Sequence, residues 1–95
     1  MSAYFVAHFV VKDQAKLATY AQAAAPIMAS FGGELLFKGV PIKVFTGTDP
    51  LPGTAVFRFP DQDKLNAFYQ SPEYQALTAA REAGANMVLS AFDAA

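Results

Sequence analysis

Residues 4–11 limit the possible folds more than any other part of this sequence. They are rich in β-branched and aromatic side chains, which is typical of a β-strand. Neighbouring side chains of a strand point to opposite sides, and here both sides are apolar. A strand with two apolar sides is typical of one that is covered on both faces. In a small domain, the second cover can come from the sheet of a partner chain.

Composition supports the same expectation. The chain has 95 residues, enough for one small domain, and 54% of them are hydrophobic while 16% are charged. An average soluble domain has about 25% charged residues, and a domain this small buries only about two thirds of its surface. A monomer would therefore expose a large apolar patch, and such patches usually mark an interface. We expect a homodimer.

Charge and residue usage exclude several classes of function. Seven Lys and Arg against eight Asp and Glu leave a net charge of −1, which argues against nucleic-acid binding. No apolar run reaches the roughly 18 residues that span a bilayer, and the N-terminus does not resemble a signal peptide, so we expect a cytoplasmic protein without membrane contact. With no Cys and one His, we expect no metal site and no cofactor.

The order of secondary structure predicts the fold. Asp13 is a good N-cap for a first helix, Pro26 predicts a kink or a restart in it, and Gly32-Gly33 ends it. Ser71-Pro72 starts a later helix, for which Gly84 is a C′ candidate. The remaining predicted elements are strands at 34–37, 42–46, 54–59 and 86–92, and a short helix capped by Asp61.

This β-α-β-β-α-β order, with 34–37 and 42–46 as two pieces of the second strand, is the pattern of the ferredoxin-like α+β fold. It predicts a four-stranded antiparallel sheet with helices on one face. The other face must still be hidden from water. Two such sheets packed face to face would form a dimeric α+β barrel, and the whole chain, residues 1–95, is one domain.

One run resembles a known family. Residues 68–77, FYQSPEYQAL, followed by Arg81, are similar to the FYxSPEYQ…R signature of the small bacterial family called domain of unknown function 1330. The resemblance covers essentially the whole chain and implies a ferredoxin-like, dimeric α+β barrel fold without an assigned activity. That family commonly has Glu at two positions where this chain has Thr46 and Arg58. Wider relatives of the barrel include cofactor-independent monooxygenases, lactone isomerases and haem-binding enzymes.

His8 and Arg81 are the candidate catalytic residues. His8 is the only side chain here with an unperturbed pKa near neutral pH, so it is the natural general acid or base; the alternative is a neutral His bonded inside the sheet or a dimer contact. Arg81 lies seven residues after Tyr74, next to Leu77 on an apolar helix face. It would anchor a carboxylate or enolate, or else form a salt bridge at the helix end.

Four further residues are candidates for binding a substrate. The phenols of Tyr20, Tyr69 and Tyr74 could donate to a ligand oxygen, although tyrosines at helical spacing are often core residues with the hydroxyl at the rim. Arg58 alternates with Phe57 and Phe59, so it faces the barrel interior or the partner chain. The five lysines are scattered among acids and are typical of a solvated surface.

Three hypotheses of function follow. The first is a homodimer with a pocket between sheet and helices, lined by His8, Tyr69, Tyr74 and Arg81, that binds a small, partly apolar organic acid or carbonyl compound. An enzyme of this kind would be a cofactor-independent isomerase or oxygenase. The second is a non-catalytic dimeric module for binding or assembly. The third is haem binding through His8.

Overall fold

The computed structural model describes residues 2–93 and contains one four-stranded antiparallel sheet with its helices on one face. The strands lie side by side in the order β2-β3-β1-β4, and each neighbouring pair is antiparallel. Their bounds are β1 (Ala3–Val11), β2 (Glu34–Gly39), β3 (Gly53–Phe59) and β4 (Ala85–Asp93). The predicted ferredoxin-like architecture is confirmed.

The four helices are α1 (Gln14–Ser30), α2 (Gln62–Gln70), α3 (Pro72–Gln75) and α4 (Thr78–Gly84), and the first three begin where the sequence predicts. Side-chain oxygens of Asp13, Asp61 and Ser71 accept hydrogen bonds from backbone N–H groups of the first turns of α1, α2 and α3, at 3.1, 2.8 and 3.2 Å. Each cap satisfies a donor that the helix itself leaves free.

Helix α1 continues through Pro26 without a restart. It ends as predicted, because Gly32 adopts a φ of +84° that side chains with a Cβ rarely tolerate. The Gly32 N–H donates to the Ala29 carbonyl at 3.0 Å, and the Gly33 N–H donates to the Met28 carbonyl at 2.9 Å. These are the two hydrogen bonds of a Schellman motif.

The predicted strand at 42–46 is wrong. Residues 40–52 form an irregular loop, so Thr46 does not end a strand. Strand β3 is already paired with β2 on one side and β1 on the other, so a further strand piece there has no partner for its backbone. Three prolines in the loop, Pro41, Pro50 and Pro52, also lack the N–H that a ladder needs.

The predicted helix from 72 to 84 is interrupted at residues 76 and 77, which separate α3 from α4. Gly84 is not the left-handed C′ residue that the sequence predicted, because it is the last residue of α4 and its φ is not positive. It lies where α4 crosses α1, and a Cβ there would be 2.6 Å from the Leu17 backbone nitrogen. Close approach of two backbones explains this glycine.

The core lies entirely on the helix side of the sheet. On β1 the buried residues are Ala3, Phe5, Ala7 and Phe9, and they pack against the helices. The alternate residues of β1 point to the other side, which carries no helix. We call this side the open face; its residues include Tyr4, Val6 and His8 of β1, Val56 and Arg58 of β3, and Val88 and Phe92 of β4. The molecule is a two-layer slab of 35 × 33 × 15 Å.

Candidate functional site

A cavity of about 350 Å³ lies between α1 and the helix side of the sheet. We call it the α1 pocket. Its floor is formed by phenylalanines and small residues of the strands, and its roof by the alanine-rich face of α1. Residues that carry the argument below are Tyr20, Ala24 and Ala25 of α1, and Leu35 and Lys38 of β2. Alanines on α1 leave space that larger side chains would fill.

The mouth of the α1 pocket opens between α1 and the edge strand β2. Among the lining residues, Gln22 and Ala25 of α1 and Leu35 and Lys38 of β2 are exposed, whereas those of the central strand β1 are buried. Lys38 is the only charged residue among the described residues that line the pocket. The pocket is therefore an apolar chamber with polar groups at its entrance.

A β-bulge in β2 directs Lys38 toward this pocket. Leu35 pairs with Phe57 and Phe37 pairs with Val56, so Leu36 is an extra residue without a partner on β3. Directly opposed residues share a face, so Phe37 lies on the open face with Val56, and Lys38 lies on the helix side with Ala55. Bulges commonly re-aim side chains in this way.

Two buried tyrosines and the half-buried Arg81 are linked by hydrogen bonds beside the pocket. The hydroxyl groups of Tyr20 and Tyr74 are 2.6 Å apart, and Arg81 Nη1 donates to the Tyr74 hydroxyl at 3.2 Å. The guanidinium also lies 5.8 Å from the centre of the Tyr74 ring. Tyr20 lines the α1 pocket with its ring, while its hydroxyl is engaged with Tyr74.

Burial and the neighbouring groups shift the pKa values of Tyr20 and Arg81. Burial and the neighbouring Tyr74 raise the pKa of Tyr20 far above its ordinary value, and Arg81 offsets only part of the rise. Burial alone would lower the pKa of Arg81, but its hydrogen bond to Tyr74 and the nearby phenols outweigh burial and raise it. Both shifts favour the states that these groups ordinarily have at physiological pH, a neutral phenol for Tyr20 and a cation for Arg81.

The structure does not bring His8 to this site. His8 is half-buried on the open face, where its Nδ1 lies 3.4 Å from the Thr54 hydroxyl. Arg58 is also on the open face and forms a salt bridge with Glu34 at the exposed end of the sheet. The expectation of one pocket holding His8 and Arg81 together is therefore wrong, because the sheet separates them.

Tyr69 occupies a third location. It is 39% exposed and lines a smaller cavity of about 180 Å³, together with Leu65 of α2 and residues of β4. Its ring centre lies 5.6 Å from that of Tyr74. Of the six candidate site residues, the structure brings together Tyr20, Tyr74 and Arg81 through hydrogen bonds, with Tyr69 beside them.

Sequence reasoning missed Lys38 as a pocket residue and assigned it to the solvated surface. The recurrence of alanine at 21, 24 and 25 of α1 is the signal that could have indicated a cavity under this helix. No comparable signal indicates the bulge at Leu36.

In the described part of the chain, no group of three or more His, Cys, Asp and Glu side chains is placed to hold a metal ion. None of the helices between residues 2 and 93 has the length and apolar character needed to cross a bilayer.

Comparison with known proteins gives a family and a fold. The sequence model of the family described as "Domain of unknown function (DUF1330)" matches residues 2–95. No curated protein matches the chain in sequence.

Three solved structures illustrate the fold. A protein of unknown function from Rhodopseudomonas palustris superposes with a TM-score of 0.81 at 12% identity, covering 96% of this chain and 80% of that one. SnoaB, a cofactor-independent oxygenase from Streptomyces nogalater, has a TM-score of 0.69 at 17% identity and covers 99% and 93%. A dimeric ferredoxin-like protein of unknown function from Jannaschia sp. CCS1 has a TM-score of 0.69 at 12% identity and covers 99% and 100%. At these identities the likeness establishes the fold alone.

Proposed function

Because this chain belongs to the DUF1330 family, whose description names no activity, we propose a function from its own geometry: it is a cytoplasmic homodimer that binds a small, partly apolar organic acid or carbonyl compound in the α1 pocket. The observation that carries this proposal is the cavity of about 350 Å³ with apolar walls and a polar entrance. That size lies within the range of about 300–1,000 Å³ that is usual for small-molecule sites.

Binding is better supported than catalysis in this pocket. A general acid or base must come within hydrogen-bond reach of the reacting atom, and His8 lies on the opposite face of the sheet. Arg81 is engaged with Tyr74, and the Tyr20 hydroxyl is engaged with the same residue. The pocket thus offers apolar contact area and one charged side chain, Lys38, at its entrance.

A variant that blocks the entrance tests the binding proposal. Ala25 lies exposed at the mouth, so Ala25→Phe fills the entrance without crowding the core. Ala18 is exposed on the same helix but does not line the pocket, so Ala18→Phe is the matched control. We expect an amphiphilic fluorescent probe such as anilinonaphthalene sulfonate to bind the wild type and Ala18→Phe saturably, and Ala25→Phe at least about tenfold more weakly. Equal binding to both variants would contradict the proposal.

The exposed apolar side chains of the open face support the homodimer. Val6 and Val56 form the centre of this face, and Val88 and Phe92 beside them are 50% and 53% exposed. An apolar sheet face of this kind is hidden from water when a second sheet packs on it. Similar structures from Jannaschia sp. CCS1 and Bacteroides fragilis are described as dimeric.

Sedimentation equilibrium tests the homodimer. We expect twice the chain mass for the wild type and a single-chain mass for Val88→Glu, because the substitution places a charge in the packed face. Ala18→Glu, on the outer side of α1, should leave the mass unchanged. A wild type of single-chain mass at high concentration would refute face-to-face association.

Cofactor-independent oxygenation or isomerisation is a second candidate activity, with His8 as the base. It is supported by the half-buried position of His8 on the open face, which a partner sheet would enclose, and by a fold shared with the oxygenase SnoaB. The test is oxygen consumption with phenolic substrates: we expect His8→Gln to abolish turnover, and Ala18→Glu, on the outer side of α1, to retain it. Turnover that survives His8→Gln would rule out this role.

A further inference from the structure

We propose that Lys38 is the anion-binding residue of the α1 pocket, so that the pocket selects amphiphilic carboxylates over neutral carbonyl compounds. This inference rests on the proposed binding function and narrows its ligand class. The walls of the pocket are apolar, and the one charged residue among its described lining lies at the mouth.

The backbone of β2 is shaped to place this charge there. In a regular strand Leu35 and Lys38, three residues apart, would point to opposite sides of the sheet. Leu36 is accommodated as a bulge without a partner on β3, so Leu35 and Lys38 both lie on the helix side and both line the pocket. A lysine that only kept β2 soluble would serve equally well on either side. The bulge thus accounts for the position of Lys38 at the entrance.

The ammonium group of Lys38 has no protein anion to neutralise it in the described part of the chain. The ion pair within residues 2–93 is Arg58–Glu34, on the other face of the sheet. Lysine buries its methylene stem against apolar surface and keeps its charge in water. This places a positive charge beside the entrance of an apolar chamber, which complements a ligand with an apolar body and an anionic end.

The polar groups at the entrance suit a carboxylate better than a phosphate ester. Gln22 of α1 and Lys38 of β2 are exposed members of the pocket lining, and an amide N–H and an ammonium N–H can each donate to a carboxylate oxygen. Phosphate sites usually add helix N-terminal or glycine-loop N–H groups and further cations. The described lining residues supply one cation and no such loop.

Calorimetry with a matched pair of ligands tests this inference. Octanoate and octanamide share a chain and differ in charge. We expect the wild type to bind octanoate about tenfold more tightly at low salt, with the preference decreasing as ionic strength rises. Lys38→Met keeps the apolar stem, so it should bind octanamide as the wild type does and lose the preference for octanoate. Lys43→Met is the matched control, because Lys43 lies in the loop over the Phe45 ring and does not line the pocket.

The outcomes separate the two proposals. If neither octanoate nor octanamide binds the wild type, or if Ala25→Phe binds them unchanged, the α1 pocket is not a binding site and the proposed function fails. A different result would be that both ligands bind, Ala25→Phe weakens both, and Lys38→Met keeps the preference for octanoate. In that case the α1 pocket is a binding site and the role of Lys38 is refuted. Loss of the preference in Lys43→Met as well as in Lys38→Met would show a general charge effect and also refute it.

Discussion

At the scale of single residues, the buried tyrosine pair is asymmetric. The Tyr74 hydroxyl has two partners, Tyr20 and Arg81, whereas the Tyr20 hydroxyl has one, Tyr74. Both side chains are buried, with Tyr74 at 0% and Tyr20 at 6% exposure. Removing one hydroxyl therefore has different consequences for the groups that remain.

We predict that Tyr74→Phe destabilises the protein more than Tyr20→Phe. Tyr20→Phe leaves the Tyr74 hydroxyl bonded to Arg81 and should cost about 0.5–1.5 kcal/mol. Tyr74→Phe leaves the buried Tyr20 hydroxyl without a partner and should cost about 1–3 kcal/mol. Urea denaturation of both variants and of the double variant measures the difference. A larger cost for Tyr20→Phe would contradict the arrangement of this chain.

Gly84 supports a second prediction at this scale. A Cβ at Gly84 would lie 2.6 and 2.7 Å from backbone atoms of Leu17, which cannot move without shifting α1. We expect Gly84→Ala to cost about 1–3 kcal/mol, as overpacking usually does. Gly39→Ala is the control, because nothing lies within 4 Å of its Cβ position, and it should be neutral or slightly stabilising. Thermal unfolding compares the two, and a tolerated Gly84→Ala would show that α1 and α4 are not in close contact.

Sequence reasoning predicted the neighbour of Arg81 but not the side of the sheet on which His8 lies. The seven-residue spacing placed Arg81 beside Tyr74, and the two side chains do bond, although the helix between them is interrupted. For His8 the alternation of β1 gave the correct set of neighbours on its side. Because both sides of β1 are apolar, alternation alone could not tell which side the helices cover.

At the scale of elements, helix ends were predictable and edge structure was not. Caps depend on local hydrogen bonds, so Asp13, Asp61 and the Gly32-Gly33 pair identified them from sequence. Whether residues 42–46 form a strand depends on which strand lies at the sheet edge, and that is a property of the whole sheet. Their apolar residues resemble a strand, but Ile42 is fully exposed and Phe45 is 87% exposed.

The bulge gives a prediction for β2. Deleting Leu36 removes the unpaired residue and leaves Leu35 opposite Phe57 and Phe37 opposite Val56 in a regular ladder. We expect this deletion to preserve the fold and the preference for octanoate, because Lys38 stays on the helix side. Deleting Val56 from β3 is the control, since it shifts every following residue to the other face. Circular dichroism and thermal unfolding separate the two, and unfolding on loss of Leu36 would contradict the assigned register.

At the scale of the whole molecule, the buried phenol of Tyr20 links stability to pH. Its pKa is raised in the folded protein, mainly by burial, while in the unfolded chain it titrates near its ordinary value of about 10. Below that pH both states hold the proton, so the stabilising contribution is complete. As pH rises above it, only the unfolded chain releases the proton, so stability decreases.

We therefore expect the free energy of unfolding to decrease above about pH 10, and to decrease less steeply in Tyr20→Phe. Denaturation midpoints measured from neutral to alkaline pH test this. Ala18→Phe is the control, because Ala18 is exposed on the same helix and the substitution leaves every phenol in place, so the slope should match that of the wild type. Identical slopes in the wild type and Tyr20→Phe would show that Tyr20 is not protected from ionisation.

The sheet divides this molecule into two surfaces that share a backbone but no side chains. Along β1, Phe5 and Ala7 contribute to the helix side, while Val6 and His8 contribute to the open face. A substitution at Phe5, Ala7 or Phe9 therefore alters the chamber, and one at Val6 or His8 alters the open face. Within such a family, the lining of the chamber and the open face can diverge independently, because selection on one set of positions leaves the other set free to vary.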